Sequence, residues 1–209
     1  MTDRQNQIAQ VSAVILAAGT STRMGRAKQL LPLGGTTVLA RTLDNVRSAG
    51  LVEMVLVLGA SAESIRRQLP QALLQGVKII VNHAYGQGMA SSLREGLSAV
   101  DPQAAAALII LGDQPFLQPL TLRQIIDEYH ASRAQIVIPL YQGKRGNPVL
   151  LDRSVFSEVM ALEGDVGCRA IFSNHLEGIS KVEVEDMGVL LDMDDPADYE
   201  RLKRQFLME

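Results

Sequence analysis

The chain has 209 residues, of which 47% are apolar and 21% charged, and its net charge is −3. That length suits one domain able to bury roughly 70% of its unfolded surface, and no apolar run approaches the roughly 20 residues of a membrane span. A single cysteine, Cys168, excludes an internal disulfide, and an acidic balance with 4% aromatic residues and no basic stripe excludes a nucleic-acid surface.

In chain order, residues 1–10 (MTDRQNQIAQ) are polar and lack the cationic and apolar regions of a signal peptide. They read as a loose tail on a cytoplasmic protein whose one domain spans 11–209. Residues 11–16 open a series of short β-branched or leucine-rich runs bounded by turn residues; the others are 54–58, 78–81, 108–111 and 135–139. Between them, Val38, Leu39, Thr42, Leu43 and Val46 share one helical face, as do Leu122, Ile125, Ile126 and Tyr129. Thr121 and Gln124 have the spacing of a capping box for the second of these helices. Strand–helix alternation predicts right-handed crossovers and a three-layer α/β/α sandwich, Rossmann-like, with a mostly parallel, mixed sheet.

The last third is less regular. Residues 140–151 read as a strand, a Gly/Lys/Arg/Gly loop and a second strand, 154–162 as a helix, and 178–192 as two further short strands. Asp195-Pro196 starts a final helix: Asp195 can cap it, Pro196 suits the first turn, and Asp198 complements the dipole.

The densest chemistry follows the first strand, at residues 16–33 (LAAGTSTRMGRAKQLLPL). Small residues (Ala17, Ala18, Gly19, Ser21, Gly25) stand beside three cations, Arg23, Arg26 and Lys28. Glycine lets backbone N–H groups turn inward on an anion, and guanidinium and ammonium groups neutralise phosphate oxygens. The composition fits a loop that holds a polyphosphate. A Walker A loop is excluded, because Arg26-Ala27 follows Gly25 where Lys-Ser/Thr is needed. A dinucleotide fingerprint is excluded too, since its glycine spacing is absent and Asp44 falls within a helical pattern.

Two acidic segments fall at or near candidate strand ends. Residues 108–111 run into Gly112-Asp113-Gln114-Pro115, which places a carboxylate just past a buried strand, a position suited to a Mg²⁺ ligand. Residues 192–195 (DMDD) supply more carboxylates. In an extended strand Asp192 and Asp194 share a face, so one of them could join Asp113 at a metal.

These segments recur together and in order with NHAYGQGMASSL (82–93), RGNPVLL (145–151), EGDVGCR (163–169) and LDMDDPADYERL (191–202). In that combination the chain resembles the MobA-like nucleotidyltransferases, most closely the molybdenum cofactor cytidylyltransferases. The resemblance implies a fold of the nucleotide-diphospho-sugar transferase type. It implies transfer of CMP from CTP to the terminal phosphate of molybdopterin, with release of pyrophosphate. It carries nucleotide binding onto Leu16, Ala17, Ala18, Gly19, Ser21, Arg23, Lys28, Gly88, Ser91 and Ser92, with Gly86 nearby. Catalytic roles fall on Arg23, Lys28 and Asp113. Mg²⁺ falls on Asp113 with Asp192 or Asp194, and the pterin substrate on Asn147, Asp165 and Gly167. Ala18 stands where guanylyl-transferring relatives carry glycine, and its methyl group narrows the space beside the base in favour of a pyrimidine.

A sugar or polyol phosphate is the alternative acceptor, because the glycine loop is shared, and the RGNP and EGDVG segments favour the pterin. The alternative outside catalysis is an accessory protein that binds the cofactor and passes it to a molybdenum hydroxylase. The presence of Arg23, Lys28 and Asp113 counts against a purely noncatalytic role. His83, His130 and His175 share no metal-ligand spacing, and Cys168 reads as a packing residue.

Overall fold

The computed structural model describes residues 10–21, 25, 27–193 and 195–206. The apolar run after the N-terminal segment forms β1 (Val11–Ala17), buried throughout its length. A 3₁₀ turn at Lys28–Leu30 leads into a small ribbon, β2 (Pro32–Leu33) with β3 (Thr36–Thr37), and then α1 (Val38–Ser48). Thr37 caps α1 by accepting the N–H of Ala40. Next come β4 (Glu53–Leu58), α2 (Ala62–Gln68), α3 (Gln71–Leu74), β5 (Val77–Val81), α4 (Met89–Ala99), β6 (Ala106–Leu111) and α5 (Pro119–Ser132). The remainder is β7 (Ile136–Tyr141), β8 (Lys144–Arg145), β9 (Val149–Asp152), α6 (Phe156–Met160), β10 (Ile179–Glu183) and α7 (Pro196–Phe206).

Among the described residues, eight strands form one sheet in the order β10-β7-β9-β6-β1-β4-β5, with β8 paired to β7. The pairs β1–β4, β1–β6, β4–β5 and β10–β7 are parallel, while β9 runs antiparallel to both its neighbours. The strand period of two divides the core cleanly. Ala13, Ile15 and Ala17 face one layer with Leu39, Leu43, Ile65, Leu122 and Ile125 of α1, α2 and α5. Val14 and Leu16 face the other, with Leu93 and Leu97 of α4 and Phe156 and Val159 of α6. The result is the mixed three-layer α/β/α sandwich that the alternation predicts.

Two local expectations are corrected. Thr121 lies inside α5, which begins at Pro119, so no Thr121–Gln124 capping box forms. Its hydroxyl instead donates to Asp186 at 2.7 Å, and the same carboxylate accepts the Gln118 N–H at 2.8 Å. The helix start is thus capped from a segment distant in sequence. Residues 178–192 yield one strand, β10, because 187–190 close into a 3₁₀ turn whose Gly188 N–H is also taken by Asp186, at 2.8 Å. The last helix starts as expected: Asp195 Oδ1 accepts from Ala197 and Asp198 N–H at 2.8 and 2.9 Å.

Buried Tyr129 of α5 ties that helix to the antiparallel strand β9 by donating its hydroxyl to Asp152 Oδ2 at 2.6 Å. Burial, reinforced by the bond to Asp152, pushes the phenol up to about 12. Burial works to raise Asp152, but hydrogen bonds from Ser154 and Tyr129 prevail and hold its carboxyl below the ordinary carboxylate value. A lowered carboxylate stabilises the fold above its unfolded pKa and loses that contribution as pH falls through its folded value. Tyr129→Phe is expected to cost about 1–2 kcal/mol at neutral pH. The deficit should shrink in acid below the ordinary carboxylate range, as measured by urea unfolding across pH.

Candidate active site

The parallel register of β1 and β6 pairs Leu16 with Leu111, so the two strands end level. What leaves each strand therefore meets above the sheet. Gly112 makes the closeness possible: a Cβ there would lie 2.9 Å from Ala17 Cβ and 3.0 Å from the Leu16 carbonyl. Gly112 N–H donates to that same carbonyl at 2.8 Å. One residue later, Asp113 is 7% exposed and receives an ion pair from the Lys28 ammonium, which the 3₁₀ turn after the glycine loop brings across. At so little exposure the pair is poorly screened, so the two groups hold each other in place.

A cavity of about 780 Å³ opens at this point, within the range of small-molecule sites. Of the expected nucleotide-binding residues, Leu16, Ala17, Ala18, Gly19, Ser21 and Lys28 line one side of it, and Gly88 and Ser92 the other. Asp113, Asp165 and Asp192 complete the expected set on its wall. Three expected residues do not line it. Ser91 is buried behind the wall, where its hydroxyl lies 2.8 Å from the Gly88 carbonyl and accepts from Asn82 at 2.9 Å. Asn147 is half-buried and gives its N–H to Val189 at 2.9 Å, beside the 187–190 turn. Gly167 precedes the 3₁₀ helix Cys168–Asn174, behind Met89. Arg23 and Asp194 lie outside the described residues.

Residues that the motifs did not single out as site residues also reach the cavity, notably Gln29, Tyr85, Gln87 and Met89. Tyr85 and Met89 have only their place in the NHAYGQGMASSL run as a sequence signal. Gln29 carries none, because a glutamine after a lysine reads as surface, yet it is buried under the loop. The Gly88 turn is held from the acidic segment: Asp165 Oδ1 accepts the Met89 N–H at 3.2 Å, and Gly164 O accepts that of Ala90. Cys168 is buried, and burial pushes its thiol up to about 12, so it stays protonated and serves packing. His175 joins Glu158 and Gln135 rather than a metal-ligand set.

Asp113 and Asp192 are hard oxygen donors on one cavity wall, a set that fits a divalent cation sharing its sphere with water and substrate phosphate. Among the described residues no group of three or more His, Cys, Asp or Glu gathers as a closed cage. Among the described residues the arrangement offers small-residue backbone, the Lys28 ammonium and the carboxylates of Asp113, Asp165 and Asp192 around a space open to a polyphosphate. No described helix is long and apolar enough to cross a membrane.

Comparison with known proteins identifies the family. Residues 13–179 match the MobA-like NTP transferase domain. The chain belongs to that family. It is 30% identical over 193 residues to the nicotine blue oxidoreductase of Paenarthrobacter nicotinovorans, covering 88% of this chain and 92% of that protein. It is 26% identical over 198 residues to the molybdenum cofactor cytidylyltransferase of Escherichia coli, covering 94% and 97%. Among solved structures, Rv0371c of Mycobacterium tuberculosis superposes with a TM-score of 0.84 at 37% identity, covering 94% of this chain and 99% of that one. The same mycobacterial protein has been solved as a complex with manganese, with a TM-score of 0.81. The fold of this MobA-like protein is the nucleotide-diphospho-sugar transferase type of sandwich. The two relatives, the oxidoreductase and the cytidylyltransferase, bear names of different reaction classes.

Gly88 provides a test of how the cavity wall is built. Its φ is +97°, and a Cβ would meet Gly164 C and O within 2.4 Å and Asp165 N within 2.5 Å. Gly88→Ala should therefore cost upwards of about 2 kcal/mol in unfolding free energy, more than a typical surface change, because both strain and backbone overlap arise.

Proposed function

We propose that the protein is a cytoplasmic nucleotidyltransferase that moves CMP from CTP to the terminal phosphate of molybdopterin and releases pyrophosphate. The observation that carries this reading is the convergence of the glycine loop, Lys28 and Asp113 on one cavity at the ends of β1 and β6. The cytidylyltransferase relative, alignable along nearly its whole length, supports the choice of reaction. Ala18 supports the choice of base. It lines the cavity, where its methyl group takes space that a glycine would leave beside the base. That crowding favours the smaller pyrimidine.

The chemistry asks little of a base. The acceptor phosphate is already anionic; one of its oxygens bonds to the α-phosphorus as the α–β bridging bond breaks and its electron pair leaves with pyrophosphate. The protein's task is alignment and charge neutralisation. The loop would seat the triphosphate, and the Lys28 ammonium, held at the cavity by Asp113, would meet the negative charge that develops on the leaving group. Arg23 is assigned a share of the same task. Asp113, with Asp192 or Asp194, would hold Mg²⁺. When bound, that ion would neutralise phosphate oxygens that Lys28 alone leaves charged. Asp165, with Asn147 and Gly167 farther from the cavity, is assigned to the pterin, and a molybdenum hydroxylase is the proposed recipient of the product.

Pyrophosphate release from each of the four NTPs, with Mg²⁺ and with or without anaerobically prepared molybdenum cofactor, tests the proposal. Release is expected with CTP plus cofactor and is expected to vanish in Asp113→Ala. Release with CTP and a sugar or polyol phosphate instead would transfer the acceptor to that class. No release from any NTP by the folded protein would favour a delivery role. Lys28→Ala should lower turnover by roughly 10²–10³, the scale of a lost electrostatic donor, and near-normal turnover would remove Lys28 from the mechanism.

A further inference from the structure

Gln29 sits in the 3₁₀ turn Lys28–Leu30 and is 2% exposed. Burying an amide is costly unless its polar atoms are paired. Here they are paired with the glycine loop. The amide nitrogen lies 3.2 Å from the Ala17 carbonyl oxygen and 3.5 Å from that of Gly19. The amide oxygen accepts from the Ser21 hydroxyl at 3.4 Å, and Ser21 Oγ in turn accepts the Lys28 N–H at 3.1 Å. Two carbonyls on one side fix the amide's orientation, since its oxygen there would face two further oxygens.

The neighbouring carbonyls are engaged as well. Leu16 O accepts from Gly112 N–H at 2.8 Å and Ala18 O from Ala60 N–H at 3.3 Å. Four successive carbonyls, from residue 16 to residue 19, are thus drawn to donors of the protein. A carbonyl aimed at a polyphosphate would repel it, whereas an N–H attracts it. Gln29 supplies the side-chain donor for two of the four. Through Ser21, which holds a left-handed φ of +54°, it also sets the loop against the start of the Lys28 turn.

We propose that Gln29 is a positioning residue for triphosphate binding. It acts through the loop, turning the Ala17 and Gly19 carbonyls away from the anion and fixing Ser21 and Lys28 relative to one another. This rests on the reading of the loop as a polyphosphate seat and is independent of which base or acceptor is used.

Calorimetric binding of inorganic tripolyphosphate and of CTP to wild type, Gln29→Met and Gln29→Glu tests it, with folding checked by thermal unfolding. The Met variant keeps the side chain's size and loses the amide; it should bind both probes about tenfold or more weakly. The Glu variant lacks the donor when ionised and regains one when protonated. Its deficit in tripolyphosphate binding, relative to wild type at the same pH, should therefore shrink between about pH 8 and about pH 5. An ionised carboxylate on this wall also repels the anion directly, so the recovery counts for the donor only where it exceeds that of a Thr20→Glu control in the same cavity.

Unchanged affinity of a folded Met variant for both probes would overturn the proposal, as would a Glu deficit constant across that pH range or a recovery no greater than the control's. If the Met variant does not fold, the Glu series decides. Wild type that binds tripolyphosphate but not CTP would sink the cytidine reading and leave the Gln29 comparison intact. Wild type that binds neither would overturn both.

Discussion

Everything at the site depends on the close approach of three parallel strand ends. β1 is paired on both sides, with Leu16 opposite Leu111 of β6 and opposite Val57 of β4. Each neighbour then supplies a glycine where its chain passes the end of β1. A Cβ at Gly59, after β4, would lie 2.4 Å from the Ala18 carbonyl oxygen, and one at Gly112, after β6, would lie 3.0 Å from the Leu16 carbonyl oxygen. With a side chain at either position the strands could not end level at this spacing. The chain leaving β1 would then lose the backbone donors at Ala60 and Gly112 that fasten it. The glycines at issue are thus not all in the glycine loop. Two of the decisive ones belong to the strands beside it.

Charge is organised on the same frame. The protein as a whole is slightly acidic, so its long-range field does not gather anionic substrates. Local placement must do so instead. The Lys28–Asp113 pair lies in a region where neither side chain is more than 19% exposed, and an unpaired charge there would be costly. Each partner therefore holds the other oriented at the cavity. Such a pair stores both signs of charge at one spot, an ammonium for phosphate oxygens and a carboxylate for a cation. Their coincidence in one cavity is a stronger functional signal than either residue alone.

The sequence was most informative where local chemistry decides the outcome. The buried strands, the apolar faces of α1 and α5, and the Asp195 cap follow from patterns within a few residues, and they appear as expected. It was least informative where partners come from afar. Thr121 has the right spacing for a capping box, but the Asp186 carboxylate, 65 positions later, takes its hydroxyl and starts the helix at Pro119. The stretch after β10 is apolar enough for a strand, but the same Asp186 folds it into a turn. Ser91 sits next to a cavity residue in sequence, and helical geometry turns its hydroxyl into the protein while Ser92 reaches the wall. Gln29 could not be read at all, because its burial depends on carbonyls of a loop whose path no pattern specifies.

The family match ends at residue 179, but the site's support does not. Leu31 and Leu33, just beyond Lys28, pack with Met193, Tyr199 and Leu202 in a small core separate from the two faces of the sheet. Tyr199 adds a hydrogen bond from its hydroxyl to the Pro32 carbonyl at 2.7 Å. One helix, α7, therefore braces the arm that carries Lys28. The residue before Met193 is Asp192, on the cavity wall, so the same small core also fixes the chain beside the second carboxylate. The C-terminal segment is then part of how the site is held in register: its small core packs the residues that follow Lys28 against the residue that follows Asp192.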